Sequence, residues 1–186
     1  MSEIEYKQVK ITKLFTTTGG NGKFTKKFCA QNKGEYPLYS SNNSEIFANI
    51  NTFNYDGDYL TWSVVGFAGY VTKLSGKFSI TNNRGILIPT DMCENIDLDY
   101  IKYMIEPIFR NSKKGRLGHN GQNEYTTLNM TAIKKINEKI SIPIKADGSF
   151  DLDIQKEIVH KYEIIEQTKN TLIQQINKLL EVNIKF

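Results

Sequence analysis

Residues 151–186 contain neither proline nor glycine, and within them Ile158, Ile165, Leu172, Leu179 and Phe186 recur every seven residues. Tyr162, Lys169, Ile176 and Asn183 fall between them at the complementary position. Alternating steps of four and three residues keep side chains on one line of a helix, so the spacing predicts a single long helix with an apolar seam. Gly148, Ser149 and Asp151 or Asp153 supply a turn and an N-cap, placing the helix start near Asp151. At 1.5 Å per residue the helix is about 50 Å long, more than a globule of about 150 residues needs for its own closure. Ile154, Ile173, Leu180 and Val182 widen the stripe. Such a helix either packs back on its own domain or pairs with another helix. Its length, terminal position and sustained heptads favour pairing, with Ile158, Tyr162, Ile165, Leu172, Ile176, Leu179 and Phe186 as the interface. Lys169 and Asn183 in the seam lower stability but fix register.

The residues before 150 follow a different rule. Short runs, YPLYS (36–40), DYLTWSVV (58–65), AGYVTKL (68–74), KFSITN (77–82) and GILIP (85–89), are separated by Gly, Asn and Asp and read as strands. Residues 97–112 and 130–138 read as helices, the first with Pro107 inside it, and KISIPI (139–144) as a further strand before a turn. Trp62, in an alternating strand, is expected in the core. A chain of 186 residues has room for one domain and an appendage. The expectation is therefore an α+β fold: a mixed, mainly antiparallel β-sheet domain over 1–150, then a coiled-coil-type helix over 151–186.

Charge is unevenly shared. Residues 151–186 carry five Lys against six acids, whereas the first 150 carry nineteen basic side chains against fourteen acidic ones. Between Tyr6 and Gly34 lie seven Lys and no acid, and Arg110, Lys113, Lys114 and Arg116 form a second acid-free cluster. Patches of this kind attract a phosphate backbone. On charge alone, a solvated face in a Lys-rich, Asn-rich chain is the commoner source of such patches. No apolar run reaches 18 residues, the N-terminal residues MSEIEYKQVK lack a secretory apolar region, and Cys29 and Cys93 stand far apart, outside any Cys/His cluster. A reducing cytoplasm is the expected setting.

Motifs for catalysis are scarce. GGNGK (19–23) has Thr17 where a phosphate loop requires glycine, and Phe24 follows its lysine. Gly115, Gly118 and Gly121 lie outside any strand–turn–helix unit. His119 and His160 have no Cys or second His beside them, so no metal is expected, and His160 reads as a surface residue. No GxSxG elbow occurs, and EPIF (106–109) does not fit the catalytic loop of an amino-methyltransferase. A chain without such motifs is better suited to recognising something for a partner. Loops rich in Asn, Ser and Gln, SSNNS (40–44), TNNR (81–84) and GHNGQN (118–123), lie beside the basic clusters. Asn and Gln bond bidentately to adenine, and Arg or Lys to guanine O6 and N7.

The order of segments carries a resemblance. VKITKLFTTTGG (9–20), GEYPLYSSNNS (34–44), YDGDYLTWSVVGFAGYVTKLSGKFSITNNRGILIP (55–89) and QNEYTTLNMTAIKKINEKISIPI (122–144), followed by the long helix, span almost the whole chain. In this order they resemble the target-recognition domain of the DNA-specificity subunit of type I restriction–modification systems. The resemblance implies a non-catalytic subunit that reads one half of a bipartite DNA site, with its helix as spacer and docking arm. It also implies a separate methyltransferase subunit, with a restriction subunit as a further partner. S-adenosylmethionine is then expected on that partner and no cofactor on this chain. Full subunits of the family usually hold two such domains and two helices, and here there is one of each. Two copies pairing their helices antiparallel restore the full layout, and pairing with a different half-subunit is the other route. Recognition loops of the family differ with their targets, so candidate DNA contacts rest on chemistry: Lys23, Lys26, Lys27, Ser41, Asn42, Asn43, Arg84, Lys113, Lys114, Arg116, His119, Asn120 and Gln122. The competing function is a protein-interaction adaptor whose helix is the working element and whose basic patches are incidental.

Overall fold

A computed structural model of the chain describes residues 4–42, 45–117 and 124–180. Strand β1 (Glu5–Lys10), helix α1 (Ile11–Leu14), strand β2 (Phe15–Gly19) and helix α2 (Lys26–Gln31) precede β3 (Lys33–Tyr39) and β4 (Ile46–Ile50). Strands β5 (Tyr55–Asp56), β6 (Tyr59–Ser63), β7 (Val65–Gly66), β8 (Val71–Leu74), β9 (Lys77–Ile80) and β10 (Arg84–Pro89) follow. A 3₁₀ turn over Asp91–Cys93 leads to helix α3 (Leu98–Ser112), the hairpin β11 (Lys114–Leu117) and β12 (Glu124–Thr127), helix α4 (Met130–Lys134), strand β13 (Lys139–Ile144) and helix α5 (Leu152–Leu180).

The described residues form four sheets, in the orders β1-β13, β2-β10-β6-β8, β11-β12-β7 and β4-β3-β9-β5. Every strand pair is antiparallel except β3 with β9. The expected α+β fold with a mainly antiparallel sheet and a long C-terminal helix is the observed one. The short runs read as strands are strands, and residues 97–112 form α3. Residues 130–138 give only the five-residue α4, because the chain must straighten into β13, which pairs with β1 over six residues.

The central strand β6 explains how the layers close. Leu60 and Trp62 face one side with α3, where Ile101, Ile105 and Phe109 are fully buried. The Trp62 and Phe109 rings meet edge to face at 5.9 Å, and the indole N–H donates to Leu128 O at 2.9 Å. Gly85 is opposite Trp62 on β10, and a Cβ there would lie 2.2 Å from the indole. Each such side chain contributes about 1.5–3 kcal/mol through burial. Burial of α3 on this sheet offsets the cost of about 3 kcal/mol for Pro107 inside the helix. The other face of β6 carries Thr61 and Ser63, also buried. Beside them Ile86 of β10 packs with Leu74, Phe78 and Ile80 to form a second apolar layer. The polar positions of the alternation thus face a second sheet and not solvent.

Helix α5 starts where the turn and cap placed it. Asp151 Oδ1 accepts from the N–H groups of Asp153 and Ile154, both at 3.1 Å. Gln155 is fully buried: its Nε2 donates to Asn95 O at 3.0 Å and Asp151 O at 3.1 Å, and its Oε1 accepts from Asp97 N at 3.0 Å. Ile158 and Val159 pack on the domain core, and Tyr162 stacks on Tyr103 at 4.8 Å. Two residues of the expected interhelical seam are therefore engaged within the chain. Ile158 belongs to the domain core and Tyr162 to the joint with α3, because the first turns of α5 run along the globule before leaving it. Beyond them Ile165, Leu172, Ile176 and Leu179 are exposed, Leu179 by 72%. The helix is about 44 Å long. Phe186 lies outside the described residues. No described helix is long and apolar enough to cross a membrane.

Candidate nucleic-acid interface

The candidate residues gather at one end of the sheets, held there by backbone bonds. After β2, Gly20 N donates to Arg84 O at 2.9 Å and Asn21 N to Ile80 O at 3.0 Å. Asn21 Oδ1 then accepts from Lys23 N at 2.9 Å, a turn that asparagine makes readily. Thr25 caps α2 by accepting from Phe28 N at 3.2 Å. Lys26 and Lys27 open that helix, where its dipole disfavours cations. All three lysines, 23, 26 and 27, are exposed, and Lys23 Nζ lies 5.1 Å from the Phe24 ring centre.

The loop after β3 is keyed from below. Arg84 is fully buried; its Nε donates to Ser40 O at 2.7 Å, Nη1 to Thr61 Oγ1 at 2.7 Å and Nη2 to Asn42 O at 3.4 Å. Thr81 Oγ1 donates to Ser40 Oγ at 3.0 Å, and Ser63 Oγ donates to Ser41 O at 2.6 Å. With their carbonyls turned inward, Ser41 stays half-buried and Asn42 exposed, its amide bonded to Glu45. Arg84 is thus a correction to the sequence reading: it does not present its guanidinium to a ligand. It sits on the inner face of β10, two residues before Ile86, and secures the loop that carries Ser41 and Asn42. Burial lowers its pKa to about 10, so it keeps its charge at neutral pH.

The third part is the β11–β12 hairpin. It joins the same rim because Thr126 and Thr127 pair with Gly66 and Val65, just after Ser63. Val64 N donates to Asn83 O at 2.9 Å, tying in the turn before Arg84. Lys113 is half-buried at the end of α3, whereas Lys114 and Arg116 are exposed on β11. Asn43, His119, Asn120 and Gln122 lie outside the described residues. Backbone bonds thus bring the turn that carries Lys23, the loop that carries Ser41 and Asn42, and the hairpin that carries Lys114 and Arg116 to the same end of the sheets; cations of this kind suit phosphates, and amides and hydroxyls suit base edges.

Sequence reasoning missed Tyr125, a residue 64% exposed beside Arg116. The signal was present in alternation: with Thr126 and Leu128 buried, Tyr125 and Thr127 must face outward. The His160 side chain is 73% exposed, in keeping with a surface residue. Among the described residues no three His, Cys, Asp or Glu side chains gather to hold a metal.

Comparison with known proteins adds an independent line. The family described as type I restriction modification DNA specificity domain matches residues 3–182. A putative type I specificity subunit of Mycoplasma pneumoniae is 26% identical over 178 residues, covering 94% of this chain and 44% of its own length. The specificity subunit of the type I restriction enzyme MpnII, from the same organism, is 38% identical over 66 residues, 34% of this chain and 20% of its own. Among solved structures, a type I restriction–modification S subunit from M. genitalium superposes with a TM-score of 0.63 at 16% identity, covering 97% of this chain and 44% of that one. The HsdS subunit from Thermoanaerobacter tengcongensis gives 0.60 at 12% identity, with 96% and 40% covered. At these identities the structural likeness is one of fold. The chain spans less than half the length of these relatives.

Proposed function

Since the chain belongs to the type I restriction–modification DNA-specificity family, we propose that it reads one half of a two-part DNA site for a methyltransferase partner. The observation that carries this reading is the convergence of exposed lysines, Arg116 and the Ser41–Asn42 loop on one rim of the domain. Cations on that rim neutralise phosphates and set the register, and the polar loops meet base edges in a groove. The chain itself binds no cofactor and performs no chemistry. S-adenosylmethionine and the adenine-modifying residues belong to the modification subunit, with a restriction subunit as a further partner.

The distal half of α5 supports the second element of the proposal. Ile165, Leu172, Ile176 and Leu179 expose an apolar line that a second helix would cover. Antiparallel pairing of two copies sets identical domains at opposite ends of the arm, and a symmetric dimer reads an inverted repeat. Family membership favours DNA recognition over the adaptor reading, in which the rim has no role.

Binding to duplex DNA across a salt series tests the reading. If five rim cations each meet a phosphate, log affinity falls linearly with log salt with a slope of about −4.5. Lys26→Ala should reduce the slope by about one unit. Affinity independent of salt, or no binding, contradicts the proposal.

A further inference from the structure

We propose that the outer face of the β11–β12 hairpin holds a single unstacked nucleotide of the bound DNA, its base on Tyr125 and its phosphate beside Lys114 and Lys135. The inference rests on the DNA-recognition reading above and adds a kind of contact that the polar loops do not make.

The pairing of the hairpin puts Arg116 opposite Tyr125 and Lys114 opposite Thr127. Cross-strand partners share a face, and so do residues two apart on one strand. Lys114, Arg116, Tyr125 and Thr127 therefore stand on one side of the sheet, and all four are exposed, while Thr126 and Leu128 on the other side are buried. The Arg116 guanidinium lies 5.5 Å from the centre of the Tyr125 ring, and Tyr125 as a residue is 64% exposed. A planar cation beside an open aromatic ring offers two surfaces suited to the π-face of a base.

The same face continues into a cleft of about 480 Å³, lined by Lys114, Thr127, Asn129, Thr131 and Lys135 among others. Two lysines there stand against one acid, Glu138, so the cleft favours an anion. Tyr125 and Thr127 are two residues apart on a strand, about 7 Å, which is close to the span from a base to its own phosphate. The hairpin is held in this form by Gly115, whose φ is +117° and whose Cβ, if present, would lie 2.2 Å from Tyr125 O. A duplex with stacked bases presents no free π-face, so the site selects a nucleotide displaced from the helix.

The test compares a matched duplex with the same duplex carrying one unpaired nucleotide, measured by fluorescence anisotropy with the full chain across a salt series. The unpaired nucleotide should tighten binding about tenfold, in line with the worth of one base–aromatic stack. Tyr125→Ala, at an exposed position, should abolish that preference and leave the affinity and salt slope for matched duplex unchanged; Tyr125→Phe should keep it. Lys135→Ala should lower the salt slope on the unpaired-nucleotide duplex by about one unit. Equal affinity of the unaltered chain for both duplexes, with a normal salt slope, overturns this inference and leaves the DNA reading standing. A preference that persists in Tyr125→Ala also overturns it. Absence of salt-dependent binding to either duplex overturns both.

Discussion

Arg84 takes a full positive charge into the space between two sheets, and the loop that carries Ser41 and Asn42 depends on it. Its three nitrogens reach Ser40 O, Asn42 O and Thr61 Oγ1, so one side chain ties β10, β6 and the loop together. Replacing it strands buried acceptors, each costing about 1–3 kcal/mol. Arg84→Met should therefore lower the unfolding free energy by roughly 2–4 kcal/mol, read as a drop in the urea midpoint. It should also speed amide exchange in residues 40–42. An unaltered midpoint would show that the guanidinium does not key the loop. Lys at this position should restore only part of the loss, because a single ammonium cannot span acceptors arranged around a planar fork. Arg84 was legible in the sequence only as a charged residue in a run of asparagines, which suggests a surface. The overlooked signal is parity, since Arg84, Ile86 and Ile88 share one side of β10 and Ile86 is a core residue. Trp62 was legible because its strand alternates; that Thr61 and Ser63 would be buried too was not, since alternation cannot say whether a second layer lies beyond the polar face.

At the scale of elements, the heptads of α5 predicted a long helix and Asp151 its start, and both appear. Where the helix parts from the globule was not legible, because tertiary contacts decide it. Gln155 bonds to the turn before α3, Ile158 enters the core, and Tyr103 stacks on Tyr162 while donating to Glu166 at 3.2 Å. Burial and Glu166 push the Tyr103 pKa up to about 12, so the hydroxyl remains a donor at neutral pH. Past this joint the apolar line has no cover within the described residues, and the proposed pairing rests on it. Leu172→Asp places a charge in the middle of that line and should turn a dimer into a monomer, with the light-scattering mass halved. Near-ultraviolet dichroism from the buried Trp62 should persist, because Leu172 lies beyond the last contact with the domain. A dimer mass retained in this variant would exclude the seam. The hairpin β11–β12 was not read from sequence at all, since its glycines suggested only a loop. Its pairing to β7 comes from bonds to residues some sixty positions away, among them Thr126 Oγ1 to Gly66 O at 2.6 Å.

The described residues form one α+β domain with one helical arm, and the chain spans less than half the length of the relatives it matches. On the proposed reading, a two-part DNA site calls for two domains at a fixed separation, which two copies joined along α5 would provide with two-fold symmetry. Under that pairing the two halves of the site would be inverted copies of one another. The most direct measurement is a single-molecule methylome of the source strain with and without this gene. Deletion should remove one bipartite adenine-methylation motif whose halves form an inverted repeat. A methylome unchanged by deletion, with the gene shown to be expressed, would contradict the specificity role. Loss of a motif with unrelated halves would keep that role and replace the second copy of this chain with a different half-subunit.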